Sequence, residues 1–325
     1  MKIVVTGAAG FIGSHLVEEL VRLNHRVIGI DNLKSGKLSN LQSVMEDIDF
    51  YEIDIRSQSL DKYFANSERV YHLAALADIV PSISQPFDYM EVNVMGTTRV
   101  LEASRKAGAS RFIYAASSSC YGIPDRFPTT EEAEIRPQYP YALSKNIGEQ
   151  LFFHWLNLYG MQGLSLRFFN VYGPRARTSA SYGAVLGVFL AQKAANMPLT
   201  IVGDGTQTRD FTYVRDVVNA LILAGDSLAS GIPINIGTSC PVSINYLAEV
   251  IGGSTTNIPK RPGEPDVTHA DITRAHKVLN WTPEVSIEMG LKLVLEAKDS
   301  WADAPIWSAE EIEKATTDWF KYLDR

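Results

Sequence analysis

The chain has 325 residues, of which 46% are hydrophobic and 21% charged, enough apolar material for one large core or two modest ones. A net charge of −7 without basic clusters excludes nucleic acid as a partner, since phosphate binding requires a basic face. Two cysteines, Cys120 and Cys240, give neither a disulfide framework nor a zinc spacing, so no metal is expected and both thiols are expected to be buried small residues. No signal-peptide layout precedes the first strand and no apolar run could span a bilayer. The expectation is a cytoplasmic protein with no membrane partner.

Lys2–Thr6 is a short β-branched apolar run, the pattern of a buried parallel strand. It runs into Gly7-Ala8-Ala9-Gly10-Phe11-Ile12-Gly13 and then a helical pattern at Leu16, Val17, Leu20 and Val21. Strand, glycine loop and helix together aim a helix N-terminus at a phosphate, and glycines let the backbone come close to it. A second strand at 26–30 ends in Asp31, placed to accept hydrogen bonds from a ribose. The site therefore reads as a dinucleotide site. A carboxylate at Asp31 repels a 2′-phosphate, which favours NAD over NADP, although Lys34 and Lys37 lie close enough to compensate.

Further strands are predicted at 49–53, 69–73, 111–116 and 162–169, with one or two helices over 89–108 and a long one over 141–159. This alternation predicts an α/β fold, a Rossmann-like doubly wound parallel sheet, with ligands outside the carboxyl ends of the strands. Ser117 and Asn170 fall on that edge. Beyond Pro174 the segments shorten and glycine and proline become frequent. Strands are predicted at Leu199–Val202 and Pro233–Ile236, and helices at 184–195, 214–229, Ile244–Ile251, 287–297 and 309–323. The expected organisation is an NAD-binding domain over 1–172, with 211–238 returning to it. A smaller mixed α/β substrate domain over 173–325 would leave a cleft between the two.

Tyr139-Pro140-Tyr141-Ala142-Leu143-Ser144-Lys145 is the stretch that carries chemistry. Pro140 suits a first helical turn, and Tyr141 and Lys145 then lie four apart on one face. An ammonium beside a phenol favours the phenolate, so the pair is expected to act as a general base. His15, His25, His72, His154, His269 and His276 have no ligand spacing and receive no chemistry.

Taken in order, the glycine loop, Asp31-Asn32, Asp54-Ile55, Asn93, the serines at 117–119, Tyr141-x-x-x-Lys145, the run from Arg167 to Pro174, Gly203-Asp204-Gly205-x-x-x-Arg209-Asp210-Phe211 and Arg261-Pro262-Gly263-Glu264 resemble the extended short-chain dehydrogenase/reductases. Within that superfamily the chain is most similar to nucleotide-sugar 4-epimerases. The resemblance implies a catalytic triad of Ser117, Tyr141 and Lys145. It implies NAD held by Gly7, Gly10, Phe11, Ile12, Gly13, Asp31, Asn32, Ser35, Gly36, Asp54, Ile55, Leu73, Ala74, Ala75, Asn93, Tyr141, Lys145 and Phe168. For a UDP-sugar it implies Ser82, Ser118, Ser119, Asn170, Thr200, Val202, Arg209, Arg261, Glu264 and Thr268. The implied reaction is transient oxidation at C4, rotation of the keto sugar and return of the hydride. A free phenol titrates at about 10, so Tyr141 would need lowering by roughly three units to serve as base near neutrality.

The departures narrow the substrate. Ser118 and Ser119 stand where dehydratases carry an Asp-Glu pair, and hydroxyls cannot do that acid–base work. Ala77 replaces a lysine often found in hexose epimerases. Thr268 replaces a large tyrosine and leaves room for an N-acetyl group; it also matches UDP-glucuronate 4-epimerases. Those usually offer an arginine where this chain has Pro81. UDP-N-acetylglucosamine or UDP-glucose is therefore the first expectation, with UDP-glucuronate epimerisation or decarboxylation second and a non-catalytic NAD-binding scaffold third. The resemblance also implies a homodimer through the helices of 89–108 and 141–159, with Phe152, Phe153, Leu156 and Tyr159 as either its apolar stripe or an ordinary core face.

Overall fold

The computed structural model describes residues 1–57, 60–176, 185–296 and 304–324. In chain order the strands are β1 (Lys2–Thr6), β2 (Arg26–Asp31), β3 (Ile48–Glu52), β4 (Arg69–His72), β5 (Arg111–Ser117), β6 (Gly163–Phe168), β7 (Asn170–Tyr172), β8 (Leu199–Val202), β9 (Thr208–Arg209), β10 (Phe211–Tyr213), β11 (Pro233–Ile236), β12 (Val242–Ser243) and β13 (Thr255–Ile258). Seven of them form one parallel sheet in the order β11-β6-β5-β4-β1-β2-β3. Strand β1 has β2 on one side and β4 on the other, so the winding direction reverses there. That reversal opens a crevice at the carboxyl edge, the place where such sheets take ligands.

Both faces of the sheet are covered. On one, the helices Phe11–Arg22 and Val214–Asp226 pack Leu16, Val17, Leu20, Val217 and Leu221 on Val5, Ile113 and Leu166, with Trp281 closing the layer. On the other, Thr97–Ala107 and Pro140–Tyr159 bring Val100, Leu101, Phe152 and Leu156 against Val4, Phe112 and Tyr114. Strands buried on both faces read as continuous apolar runs, which is why Lys2–Thr6 and 111–116 were recognisable. A third core joins the helices Val185–Ala194, Ile244–Ile251 and Ile287–Glu296 to the β8–β13 pair.

Several expectations need correction. The predicted strand 162–169 breaks at Phe169, and β7 leaves the sheet to pair with β10. The segment 89–108 is helical as expected, with a π-helical stretch, Glu91–Gly96, joining the helices Pro86–Met90 and Thr97–Ala107. The predicted helix 309–323 divides at Thr316, whose hydroxyl donates back to the carbonyls of Ile312 and Glu313. Ala184 and Ala297, the expected ends of two helices, lie outside the described residues. Phe152 and Leu156 are core, so they cannot form a dimer stripe. Cys120 is buried, as expected, but Cys240 is exposed, because it sits in a turn after β11 with nothing packed over it. Among the described residues no helix is long and apolar enough to cross a membrane, and no group of His, Cys, Asp and Glu could hold a metal ion.

Candidate active site

A cavity of about 320 Å³ occupies the crevice. Its floor is the glycine loop. Gly7 has φ +73°, and a Cβ there would meet the Ala74 amide nitrogen at 2.7 Å; a Cβ on Gly13 would meet the Gly7 carbonyl oxygen at 2.0 Å. Only glycine lets the loop, the helix Phe11–Arg22 and the exit of β4 close up this far, leaving a backbone cradle open to a phosphate. The expected NAD residues line the cavity, except Gly36 and Asn93. Gly36 lies over Asp31, where a Cβ would come within 2.9 Å of both carboxylate oxygens. Asp31 itself accepts from the amides of Ala9 (3.0 Å) and Leu33 (2.8 Å), tying the glycine loop to the end of β2. Burial pushes its carboxyl up and those amides oppose the shift. A carboxylate has about four acceptor positions, so acceptor capacity remains for ribose hydroxyls. The cradle, the acid and the small residues after β4 fit NAD.

Asn93 is an anchor set back from the cavity. Its amide oxygen accepts from the Leu76 amide (2.8 Å), and its amide nitrogen donates to the Leu76 carbonyl (2.9 Å) and to Ser144 Oγ (2.9 Å). Every polar atom of the side chain has a partner in the protein, so its part in the cavity is to hold the backbone of Leu76.

Tyr139 is extended and Pro140 opens the helix Pro140–Tyr159, so Tyr141 and Lys145 both face the cavity one turn apart. Ser117, the last residue of β5, stands beside the Tyr141 phenol and acts to hold it down. Its Oγ also lies 2.8 Å from Ser119 Oγ and accepts from the Ser119 amide. Gly148 makes room for Tyr114, whose hydroxyl donates to the Lys145 carbonyl while Lys145 Nζ sits 4.5 Å from the ring centroid. The electrostatics differ from expectation. Burial raises the Tyr141 phenol above its usual value, Ser117 works against that, and the Asp78 charge adds to it. Burial brings the Lys145 ammonium down to about 7, only partly offset by Glu149. Glu149 is committed elsewhere, in a buried ion pair with Arg167 (2.7 Å) and a bond from Ser165.

Outside the residues that line this cavity, Thr268 Oγ1 donates to Asn170 Oδ1 (3.0 Å) and accepts from the Asp210 amide. Arg209 pairs with Glu264 at 2.9 Å, and Arg261 approaches the same carboxylate at 3.6 Å. These five expected substrate residues are brought together. Two others are turned inward: Thr200 is held by Gln192 through its amide and hydroxyl, and Ser82 Oγ donates to the Ile79 carbonyl. Val202 packs with Val188 and Ile258. Ser118 begins the short turn after β5 and is half-buried.

Sequence reasoning missed several residues of the cavity. Arg175 lines it and holds Glu18 (2.7 Å) and Ser14 from the helix Phe11–Arg22. It directly follows the run ending at Pro174, so reading one residue further would have found it. Arg56 also lines it, paired with Asp54 and Glu91. Asp78 lines it near Tyr141. Outside the cavity lining, Trp319, whose ring centroid lies 5.7 Å from that of Tyr139 and 5.8 Å from the Arg261 guanidinium, had no local signal at all.

The family model described as the NAD dependent epimerase/dehydratase family matches residues 3–237. A UDP-glucose 4-epimerase of Mycolicibacterium smegmatis is 36% identical over 307 residues, 91% of this chain and 98% of that protein. The solved structure of UDP-glucose 4-epimerase from Thermotoga maritima with UDP-glucose has a TM-score of 0.87 at 35% identity, covering 91% of this chain and 98% of that one. UDP-glucuronic acid 4-epimerase from Bacillus cereus, solved with UDP-glucuronic acid and NAD, has a TM-score of 0.86 at 34% identity, covering 92% and 99%. With the glycine cradle, the Tyr141–Lys145 pair and this likeness along nearly its whole length, the chain belongs to the NAD dependent epimerase/dehydratase family of enzymes.

Proposed function

We propose that this protein is a UDP-sugar 4-epimerase acting on a UDP-N-acetylhexosamine or UDP-hexose. The observation that carries the proposal is Tyr141, beside Ser117 and one helical turn from Lys145, at the wall of a dinucleotide cavity in a chain alike end to end to 4-epimerases. NAD, when bound, supplies a reversible hydride acceptor. Tyr141 Oη takes the proton of the sugar 4-hydroxyl and later returns one, with Ser117 Oγ sharing the hydrogen bond and steadying the carbonyl as it forms. Lys145 keeps its amine beside that site and turns cationic as pH falls through about 7. Ser118 and Ser119 offer no carboxyl group for elimination, which favours epimerisation over dehydration. Arg209 and Arg261 meet the diphosphate, guanidinium forks being suited to phosphate oxygens, with Asn170 and Glu264 around the nucleotide and Thr268 beside the sugar.

UDP-glucuronate is the second reading, favoured by the Bacillus cereus neighbour and by Thr268. Pro81 in place of a cation and the Asp78 carboxylate in the cavity speak against it. Residues 1–172 with 211–238 serve as the NAD-binding domain and 173–325 as the sugar-nucleotide domain. The exposed Met95, Leu143, Leu158 and Tyr159 supply an apolar face for a homodimer, and the protein works in the cytoplasm. The test is a panel of UDP-hexoses, UDP-N-acetylhexosamines and UDP-glucuronate, with products read by NMR. The expected product is the 4-epimer of a neutral UDP-sugar without lasting NADH absorbance. Stoichiometric NADH, released carbon dioxide or a turnover-competent Tyr141→Phe would overturn the proposal.

A further inference from the structure

The geometry points to His72 as a positioning residue, held neutral as its Nε2–H tautomer, that registers the cavity wall after β4 against the helix bearing Tyr141 and Lys145. The role it supports rests on the epimerase reading; the tautomer does not. His72 ends β4 and is 1% exposed. Its Nε2 lies 2.9 Å from Thr97 Oγ1, and its Nδ1 lies 2.7 Å from Thr6 Oγ1.

Donor counting fixes the protons. Thr97 Oγ1 is 2.6 Å from the carbonyl oxygen of Asn93, which can only accept, so the one hydroxyl hydrogen of Thr97 is spent there. Thr97 can then only accept from His72, and Nε2 must carry a hydrogen. At the other end, Thr6 Oγ1 accepts from the Ala74 amide (3.3 Å) and gives its hydrogen to Nδ1. A second proton on the ring would turn Nδ1 into a donor and leave the Thr6 hydroxyl hydrogen without an acceptor in this network. Burial, with the Lys145 charge adding, holds the imidazole down to about 3, in keeping with that constraint.

The chain of bonds has a direction and two ends. One end is Ala74, which lines the cavity, with Thr6 leading directly into Gly7. The other is Asn93, whose side chain grips both polar groups of the Leu76 backbone and the hydroxyl of Ser144, which in turn donates to the Tyr141 carbonyl (2.8 Å). His72 is the link by which the glycine loop and the catalytic helix share one frame across β4. An apolar side chain of the same size would fill the space and leave Thr6 and Thr97 unregistered.

The test pairs spectroscopy with substitution. In full-length protein labelled with ¹⁵N-histidine, His72 is expected to show a protonated Nε2 and a bare Nδ1, unchanged from neutral pH down to about pH 5. His72→Leu should lower kcat on the UDP-sugar that the panel identifies by roughly ten- to a hundredfold, with KM nearly unchanged. His72→Gln, which keeps one donor and one acceptor, should recover most of that loss. An Nδ1–H tautomer, a doubly protonated ring at neutral pH, or a His72→Leu enzyme with unaltered kcat would overturn the inference. The spectrum decides the tautomer even if His72→Leu does not fold, whichever sugar turns over, and the kcat of His72→Gln against the native enzyme decides the positioning role.

Discussion

The cavity wall built on the glycine loop and the side-chain wall proposed to take the nucleotide are made of different materials. The cofactor wall is backbone and small residues: Gly7 against Ala74, Gly13 against Gly7, Asp31 bonded to the amides of Ala9 and Leu33. The wall proposed for the nucleotide is long side chains that hold one another: Arg209 on Glu264, Arg261 near the same carboxylate, Thr268 on Asn170. A backbone wall has its shape before any ligand arrives, and filling it costs little reorganisation. A wall of paired charges must exchange partners each time a ligand enters or leaves. An epimerase needs both properties, since it keeps its dinucleotide through every cycle while the sugar nucleotide comes and goes.

Gly13→Ala attacks the backbone wall where it has least slack. The new Cβ would sit 2.0 Å from the Gly7 carbonyl oxygen and 2.8 Å from its carbon, and neither atom belongs to a side chain that can swing away. Overpacking of this kind costs about 1–3 kcal/mol. At about 1.4 kcal/mol per factor of ten, that is roughly a ten- to hundredfold weaker hold on NAD. Titration of NAD into stripped protein measures it. Unchanged affinity would mean that the cradle is softer than its contacts imply.

The contrast between the walls also explains what could be read from the chain beforehand. Gly7, Gly10, Gly13, Asp31 and the Tyr141–Lys145 pair act through local geometry, where sequence spacing fixes spatial placement, so they were legible. Strands buried on both faces were legible for the same reason, being uniform apolar runs. Thr200, Ser82 and Asn93 were assigned by position in a motif, yet their hydrogen bonds go to Gln192, Ile79 and Leu76. Position in a motif does not say which way a polar side chain turns. The state of Lys145 was out of reach too, because it is set by burial in the folded chain, with Glu149 on the same helix claimed by Arg167 of β6. Trp319 comes to Tyr139 from the far end of the chain, and no local pattern announces such a contact.

Lys145 is a charged side chain set into the backbone wall, and its titration sharpens the comparison. Its folded value of about 7 lies below the ordinary 10.5. Below pH 7 both folded and unfolded chains carry the proton, and the full cost of burying the ammonium opposes folding. As pH rises from about 7 toward 10.5 the folded chain sheds the proton first, the unfolded chain binds more protons, and stability rises. Lys145→Met should therefore stabilise the protein without added cofactor, by a margin that shrinks between about pH 6 and about pH 9. Thermal unfolding midpoints of the two proteins, compared across that window, check the sign. A margin that grows with pH would show that the amine is not desolvated in the folded chain.

The mildest effect is expected on the other wall. Glu264 is 28% exposed, whereas Arg209 and Arg261 are each 8% exposed, so the carboxylate is the partly solvated member of the trio. Exposed or half-exposed ion pairs are worth about 0.2–1 kcal/mol. Glu264→Gln keeps an acceptor for Arg209 and removes the charge that aims both guanidiniums. UDP binding should weaken by roughly two- to fivefold, with kcat unchanged, because this contact serves ground state and transition state alike. Calorimetry with UDP separates the two roles open to this carboxylate. Weaker binding marks it as the group that orients the arginines for the diphosphate; tighter binding would mark it as their competitor, and the nucleotide wall would then be one that the ligand has to pry open.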